Sequence, residues 1–176
     1  KLALRDHYLS TNTVNEFRKG RSKDRFDLEE ARSVKASSGR FKKVAGWLSS
    51  DEPSLEFDIR FIADNDKMRS KGLMHADPLE ENEVAFFVFD YPDCYSFWNK
   101  NVSFDLSLAF LDEMGRVVDF GDLKTESEKP VASSRPSRFV IEAKKGAFDN
   151  KGVKVGDLVK YLGDTLVVIP LGGWSF

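Results

Sequence analysis

Four residues of one short stretch, Trp98, Lys100, Asn101 and Asp105, bring together an indole, an ammonium, an amide and a carboxylate. Such a set can line a polar pocket: Lys100 attracts an anion, Asn101 donates and accepts, and Trp98 offers a stacking face. Glu142, further along the chain, is counted with this candidate pocket, and Asp157 is a further carboxylate outside it. Glu142 closes an apolar run beside Lys144 and Lys145, and Asp157 follows Gly156. A pair of carboxylates can perform acid–base chemistry when it converges, but no spacing here makes these two meet. Each feature also has a plain structural reading. Lys100 and Asp105 would form an ion pair, Asn101 would satisfy the backbone of a turn, and Gly156-Asp157 would be a turn before a strand. Buried polar groups must be bonded whatever their role, so the structural reading carries more weight and no catalytic residue is assigned.

Other chemistries are poorly supplied. His7, His75 and Cys94 show no metal-ligand spacing, and His75-Ala76-Asp77 reads as an exposed turn. There is no Gly-x-Ser-x-Gly elbow, no partner base beside Cys94, no phosphate-binding loop and no dinucleotide fingerprint. Neither a cofactor nor a metal is therefore expected. Arg18, Lys19, Arg21, Lys23 and Arg25, flanked by Phe17 and Phe26, form a basic stretch suited to phosphate contacts or to an extended tether on an acidic protein surface.

Charge is distributed unevenly around that stretch. Residues 1–50 hold 12 Lys/Arg against 6 Asp/Glu, whereas the rest of the 176-residue chain holds 15 against 23. A basic arm on an acidic domain implies different partners for the two halves, or an arm lying on its own domain or a neighbour's. Cys94 is the single cysteine, which excludes an internal disulfide. The longest apolar run, Val84 to Phe89, is too short to span a bilayer as a helix, and no signal peptide is visible, so a soluble chain is expected. Lys1 in place of Met points to a proteolytic cut, a tag scar or a truncated expression boundary.

The elements that must position these residues follow from periodicity. Leu28, Ala31, Val34, Phe41, Val44 and Leu48 fall on helical spacing, with Asp27 as a cap and Ser37-Ser38-Gly39 as an interruption. Residues 1–52 are thus expected to form a basic arm with short helices, and 53–176 a β domain. In the latter, Leu55, Phe57, Ile59 and Phe61 alternate with charged residues as in a half-buried strand. Lys67 to Met74 reads as a helical turn or a bent connection, closed by Gly72. Glu83 to Asp90 reads as a strand buried on both faces, and Tyr95 to Val102 as its neighbour. Leu106 to Phe110 and Arg116 to Phe120 make a hairpin around Asp112-Glu113-Met114-Gly115. Lys124 to Ser137 is a long polar loop, and Phe139–Ala143, Leu158–Leu162 and Leu166–Ile169 complete the strands. Eleven of fifteen Phe residues lie between Phe57 and Phe148, which places the core. The predicted fold is mainly β, a compact antiparallel sandwich or squat barrel with one or two short helices.

Gly72-Leu73-Met74, then Trp98, Lys100 and Asn101, then Phe139-Val140-Ile141-Glu142, Gly146 and Gly156-Asp157 form an ordered series. In that series the chain resembles the bacterial and archaeal "domain of unknown function 192" family over roughly residues 55 to 160. The resemblance implies a compact sandwich- or barrel-like β fold and no particular reaction. Departures from the family pattern fall at Val84-Ala85-Phe86-Phe87, at Asn99, at Val102-Ser103-Phe104 and at Ala76, which thins the polar set a family pocket would use. Residues 1–50 lie outside it.

Two functions are carried forward. The leading expectation is a non-enzymatic structural or interaction module whose basic arm anchors the β domain to other protein subunits of an assembly, a phage or virus particle component being the leading version. The alternative is a small-molecule or glycan-binding domain, or a weak hydrolase, using the Trp98–Asp105 region. Nucleic acid has no support beyond the arm's charge, a membrane none, and location stays open between a virion and an exported or periplasmic compartment.

Overall fold

The computed structural model describes residues 55–171. The candidate contacts Arg18, Lys19, Arg21, Lys23 and Arg25, and the helices expected within 1–52, lie outside the described residues.

Among the described residues, nine strands and two short helices follow one another. They are β1 (Leu55–Ala63), α1 (Asp66–Lys71), β2 (Glu83–Asp93), β3 (Ser96–Phe97), β4 (Leu106–Leu111), β5 (Val117–Leu123), β6 (Val131–Ala132), β7 (Ser137–Lys144), α2 (Ala147–Asn150), β8 (Leu158–Leu162) and β9 (Thr165–Ile169). Seven strands join in the order β5-β4-β7-β2-β1-β9-β8. Every pairing is antiparallel except β1 with β2, which are linked by the crossover through α1, as a parallel pair requires.

The sheet curls until its two edges touch. Arg116 on the β5 side bridges Leu158 on β8. The junction is held by Val117 N–H donating to Asp157 O (2.9 Å), Gly156 N–H to Val117 O (2.8 Å) and Val159 N–H to Gly115 O (2.8 Å). Between the expected sandwich and squat barrel, the sequence has built a half-barrel closed at one seam, which protects part of both edges from pairing with other chains.

Two apolar layers result. The enclosed layer gathers Phe57, Phe86, Phe139, Ile141, Leu166 and Phe148, with Val117 and Val159 contributed from the two joined edges. The opposite layer gathers Phe87, Phe89, Phe97, Val102, Leu106, Leu108, Phe110 and Val140, with Leu73 and Leu79 from the crossover. Strand β2 feeds both, Val84 and Phe86 to one and Ala85, Phe87 and Phe89 to the other, which explains its unbroken apolar run.

Two local expectations need correction. Tyr95 to Val102 is not a strand beside β2: only Ser96–Phe97 is extended, and it pairs with Val131–Ala132 in a separate two-stranded ribbon. Phe97 is wholly buried against Phe87 (5.2 Å between ring centroids) and Phe110 (6.1 Å), so its aromatic signal reports packing over the sheet rather than membership of it. The polar 124–137 segment in turn is a strap with its own strand, β6. Gly121 on β5 accommodates that strap, because a Cβ there would stand 2.7 Å from Val131 Cγ1.

Candidate functional site

The crossover after α1 brings the first family-like motif to the surface. Asn65 caps the helix by accepting from Met68 N–H (3.0 Å). Gly72 ends it at φ 45°, with its N–H on Met68 O, a conformation that suits glycine. Leu73 then plugs the apolar layer at 1% exposure, while His75 turns back to solvent at φ 58°. His75 N–H donates to Asn101 O at 2.9 Å. Gly72-Leu73-Met74 and Trp98-Asn99-Lys100-Asn101, 26 positions apart in sequence, are therefore neighbours in space.

Asn101 is itself left-handed at φ 55° and donates its N–H to Glu126 Oε2 (3.2 Å). Glu126 is left-handed too, φ 56°, and its N–H returns to Val102 O (3.0 Å). Among the described residues these three are the non-glycine positions at positive φ, and all three share one hydrogen-bonded chain. Asn and His adopt this region with comparative ease, Glu less so. Each costs on the order of 1–3 kcal/mol unless its surroundings fix it, and such residues gather at binding and active sites.

Asn99, wholly buried, supports this network from beneath. Its Nδ2 donates to Phe104 O (2.7 Å) and its backbone N–H to Ser127 O (2.8 Å), fastening the motif to the strap. Its Oδ1, and the Nε1 of half-buried Trp98, are buried polar atoms without a hydrogen-bond partner. One is an acceptor and the other a donor, on adjacent residues, and each unmet bond of this kind costs about 1–3 kcal/mol.

The residues singled out from sequence are partly assembled. Lys100 pairs with Glu128 (3.2 Å), not with Asp105. Asp105 accepts from Thr125 N–H (2.7 Å) and Thr125 Oγ1–H (2.8 Å), with Lys124 at 3.8 Å. The Thr125 backbone and hydroxyl hold its carboxyl below the ordinary carboxylate range. The expected Lys100–Asp105 pair is replaced by two pairs, each reaching the strap, because the segment is irregular rather than extended. Glu142 lies inside the sheet, wholly buried, in a cross-strand row running Phe61, Ala85, Glu142, Leu108, Gly121. By strand alternation it points into the same layer as Val140, beneath the motif rather than among its surface residues. Asp157 belongs to the seam: its carboxylate accepts from Lys154 N–H (2.8 Å) and Leu171 N–H (2.7 Å). Glu142 and Asp157 serve different parts of the fold, and they form no acid–base pair. Among the described residues no group of three or more His, Cys, Asp or Glu side chains is arranged to hold a metal.

Sequence reasoning missed Asn99, His75 and Glu126 as members of the site. Asn99 stood out only as a departure from the family's Met, and positive φ at His75 and Glu126 leaves no mark in composition.

The family model described as "Uncharacterized ACR", the domain of unknown function 192, matches residues 48–161. No curated protein matches the chain. Among solved structures, a protein of unknown function from Novosphingobium aromaticivorans DSM 12444 is similar at 28% identity and TM-score 0.56, over 58% of this chain and 75% of that one. A candidate transcription regulator from Sinorhizobium meliloti 1021 is similar at 24% identity and TM-score 0.52, over 54% and 74%; at that identity the likeness concerns the fold alone.

Proposed function

This chain belongs to the domain of unknown function 192 family, and from that premise we propose that its β domain is a small-molecule-binding module whose site is the surface shared by Gly72–Ala76, Trp98–Val102 and Glu126. One observation carries the reading. All three left-handed non-glycine residues described lie in one hydrogen-bonded chain, at the place where two family motifs meet. Beside them, Trp98 Nε1 and Asn99 Oδ1 lack partners. Strain and unmet hydrogen bonds cost stability, and a site that recovers this on binding gives a reason for keeping both. The test is a thermal-shift screen of a metabolite library with the full chain. Hits that raise the melting temperature of wild type and lose that effect in Trp98→Phe support the site, whereas hits that keep it place binding elsewhere.

The assembly reading rests on a different observation, the basic surplus of residues 1–50 over an acidic remainder. In it the arm docks the domain onto other subunits, as in a phage or virus particle. The two readings are compatible, since the candidate binding surface lies in the β domain and the docking charge in residues 1–50.

A further inference from the structure

We propose that the strap, residues 124–136, is a lid: it lifts from the sheet as one unit while the sheet stays folded, and the strained surface is complete only while it is down. The inference rests on the binding reading above and gives that surface an open and a closed state. Both ends of the strap are fastened by the same device. Asp105 accepts from the N–H (2.7 Å) and the hydroxyl (2.8 Å) of Thr125, and Asp119 accepts from the N–H and the hydroxyl of Ser134 (both 2.8 Å). Each carboxyl is held below its ordinary range, first of all by the strap N–H it receives. Between these clasps little apolar surface holds the strap. Val131 and Ala132 are its only apolar residues besides Pro130 and Pro136. Val131 is half-buried against the sheet and Ala132 is exposed. The Lys100–Glu128 and Lys124–Asp105 pairs are solvated and hold weakly. The sheet differs: all six residues of β4 are buried. A segment with so few buried apolar groups and so many exposed hydrogen bonds opens at lower cost than the sheet it lies on.

The strap also carries half of the hydrogen-bonded network. Asn101 N–H reaches Glu126 Oε2 (3.2 Å), Glu126 N–H reaches Val102 O (3.0 Å) and Asn99 N–H reaches Ser127 O (2.8 Å). Lifting the strap breaks all three and removes what fixes Asn101 and Glu126 at φ 55° and 56°. Their strain therefore favours the open state, and the two clasps favour the closed one. A molecule that binds the closed surface better than the open one shifts that balance by its difference in affinity.

Hydrogen–deuterium exchange on the full chain, read by mass spectrometry at neutral pH, compares wild type with Ser134→Ala and Thr125→Val. Each substitution removes one hydroxyl donor and leaves both Asp partners and both backbone N–H groups in place. In wild type, peptides over 124–136 should exchange faster than those over β4 and β7. Ser134→Ala should speed exchange about three- to tenfold, as loss of one exposed hydrogen bond allows. The acceleration should reach beyond residue 134 to the far clasp at Thr125 and to 98–102, where the Asn99 and Asn101 amides bond to the strap. Thr125→Val should do the same from the other end, while β4 and β7 keep their wild-type rates. Acceleration confined to the substituted clasp, or one that leaves 98–102 unchanged, overturns the lid, since the strap then does not act on the site as a unit. Equal acceleration of the strap and β7 overturns it too, because the strap then opens only when the domain unfolds. No ligand enters the experiment, so either failure leaves the binding reading to the thermal-shift screen, and a failed screen leaves the opening of the strap measurable.

Discussion

Phe97 and Trp98 are adjacent, both aromatic and indistinguishable by sequence pattern, yet they have separate tasks. Phe97 is wholly buried among Phe87, Phe89 and Phe110. Phe97→Ala should cost about 3–5 kcal/mol in chemical denaturation, whereas Trp98→Phe should leave the midpoint nearly unchanged and act on ligand response. Equal destabilisation by both would assign Trp98 to the core. Tyr95 gives a second check. Burial, with Asp93 next in importance, raises its phenol to about 12 from an ordinary 10.0, and its hydroxyl donates to Tyr91 O (2.7 Å). Absorbance titration should show one of the four tyrosines ionising near pH 12. Because the folded value is raised, the associated stability is fully present below pH 10 and fades as pH climbs towards 12. For Asp119 the sign is opposite. Its carboxyl is held down chiefly by the Ser134 N–H, and by the Ser134 hydroxyl and Phe120 N–H. Its contribution is present at neutral pH and lost as pH falls through its lowered value. Wild type should therefore exceed Asp119→Asn in melting temperature at neutral pH, with the gap closing in acid.

At the level of elements, much was legible because most strands carry one simple signal. Alternation marked β1, the continuous apolar run marked β2, and turn chemistry at Asp112–Gly115 marked the β4–β5 hairpin; Gly72 was read correctly as the end of α1. What failed was the part built by long-range contact. Phe97 looked like part of a strand beside β2 because aromatics favour strands, but its short strand belongs to the two-stranded ribbon and packs over the sheet instead. The polar composition of 124–137 hid β6, whose place depends on an absent side chain on β5. Gly121→Ala would drive a methyl against Val131 Cγ1 and should cost about 1–3 kcal/mol, as overpacking does. Adding Val131→Ala should recover most of that loss, a coupling that a double-mutant cycle measures. If the second substitution recovers nothing, the strap does not press on β5.

For the whole molecule, seam and site are separate units: Asp157 ties the closing edges, and the strained network sits where the crossover and the strap meet the sheet. The site was only partly readable, since Trp98 and Asn101 announced it while Asn99, His75 and Glu126 depended on backbone geometry. In the proposed assembly reading, the basic surplus of residues 1–50 would make a third unit. A chain beginning at Ser54 should keep the melting temperature of the β domain yet lose salt-sensitive association with partner subunits, an outcome that co-sedimentation at graded ionic strength reads directly. Association undiminished by truncation would move the interface to the β domain. The central claim, that ligand binding occurs at the strained network, is tested most directly by hydrogen–deuterium exchange with and without a thermal-shift hit. Binding there should slow exchange together in peptides covering residues 72–76, 98–102 and 124–128. Protection confined to the seam peptides around 114–117 and 155–159, or none in these three segments, would contradict it.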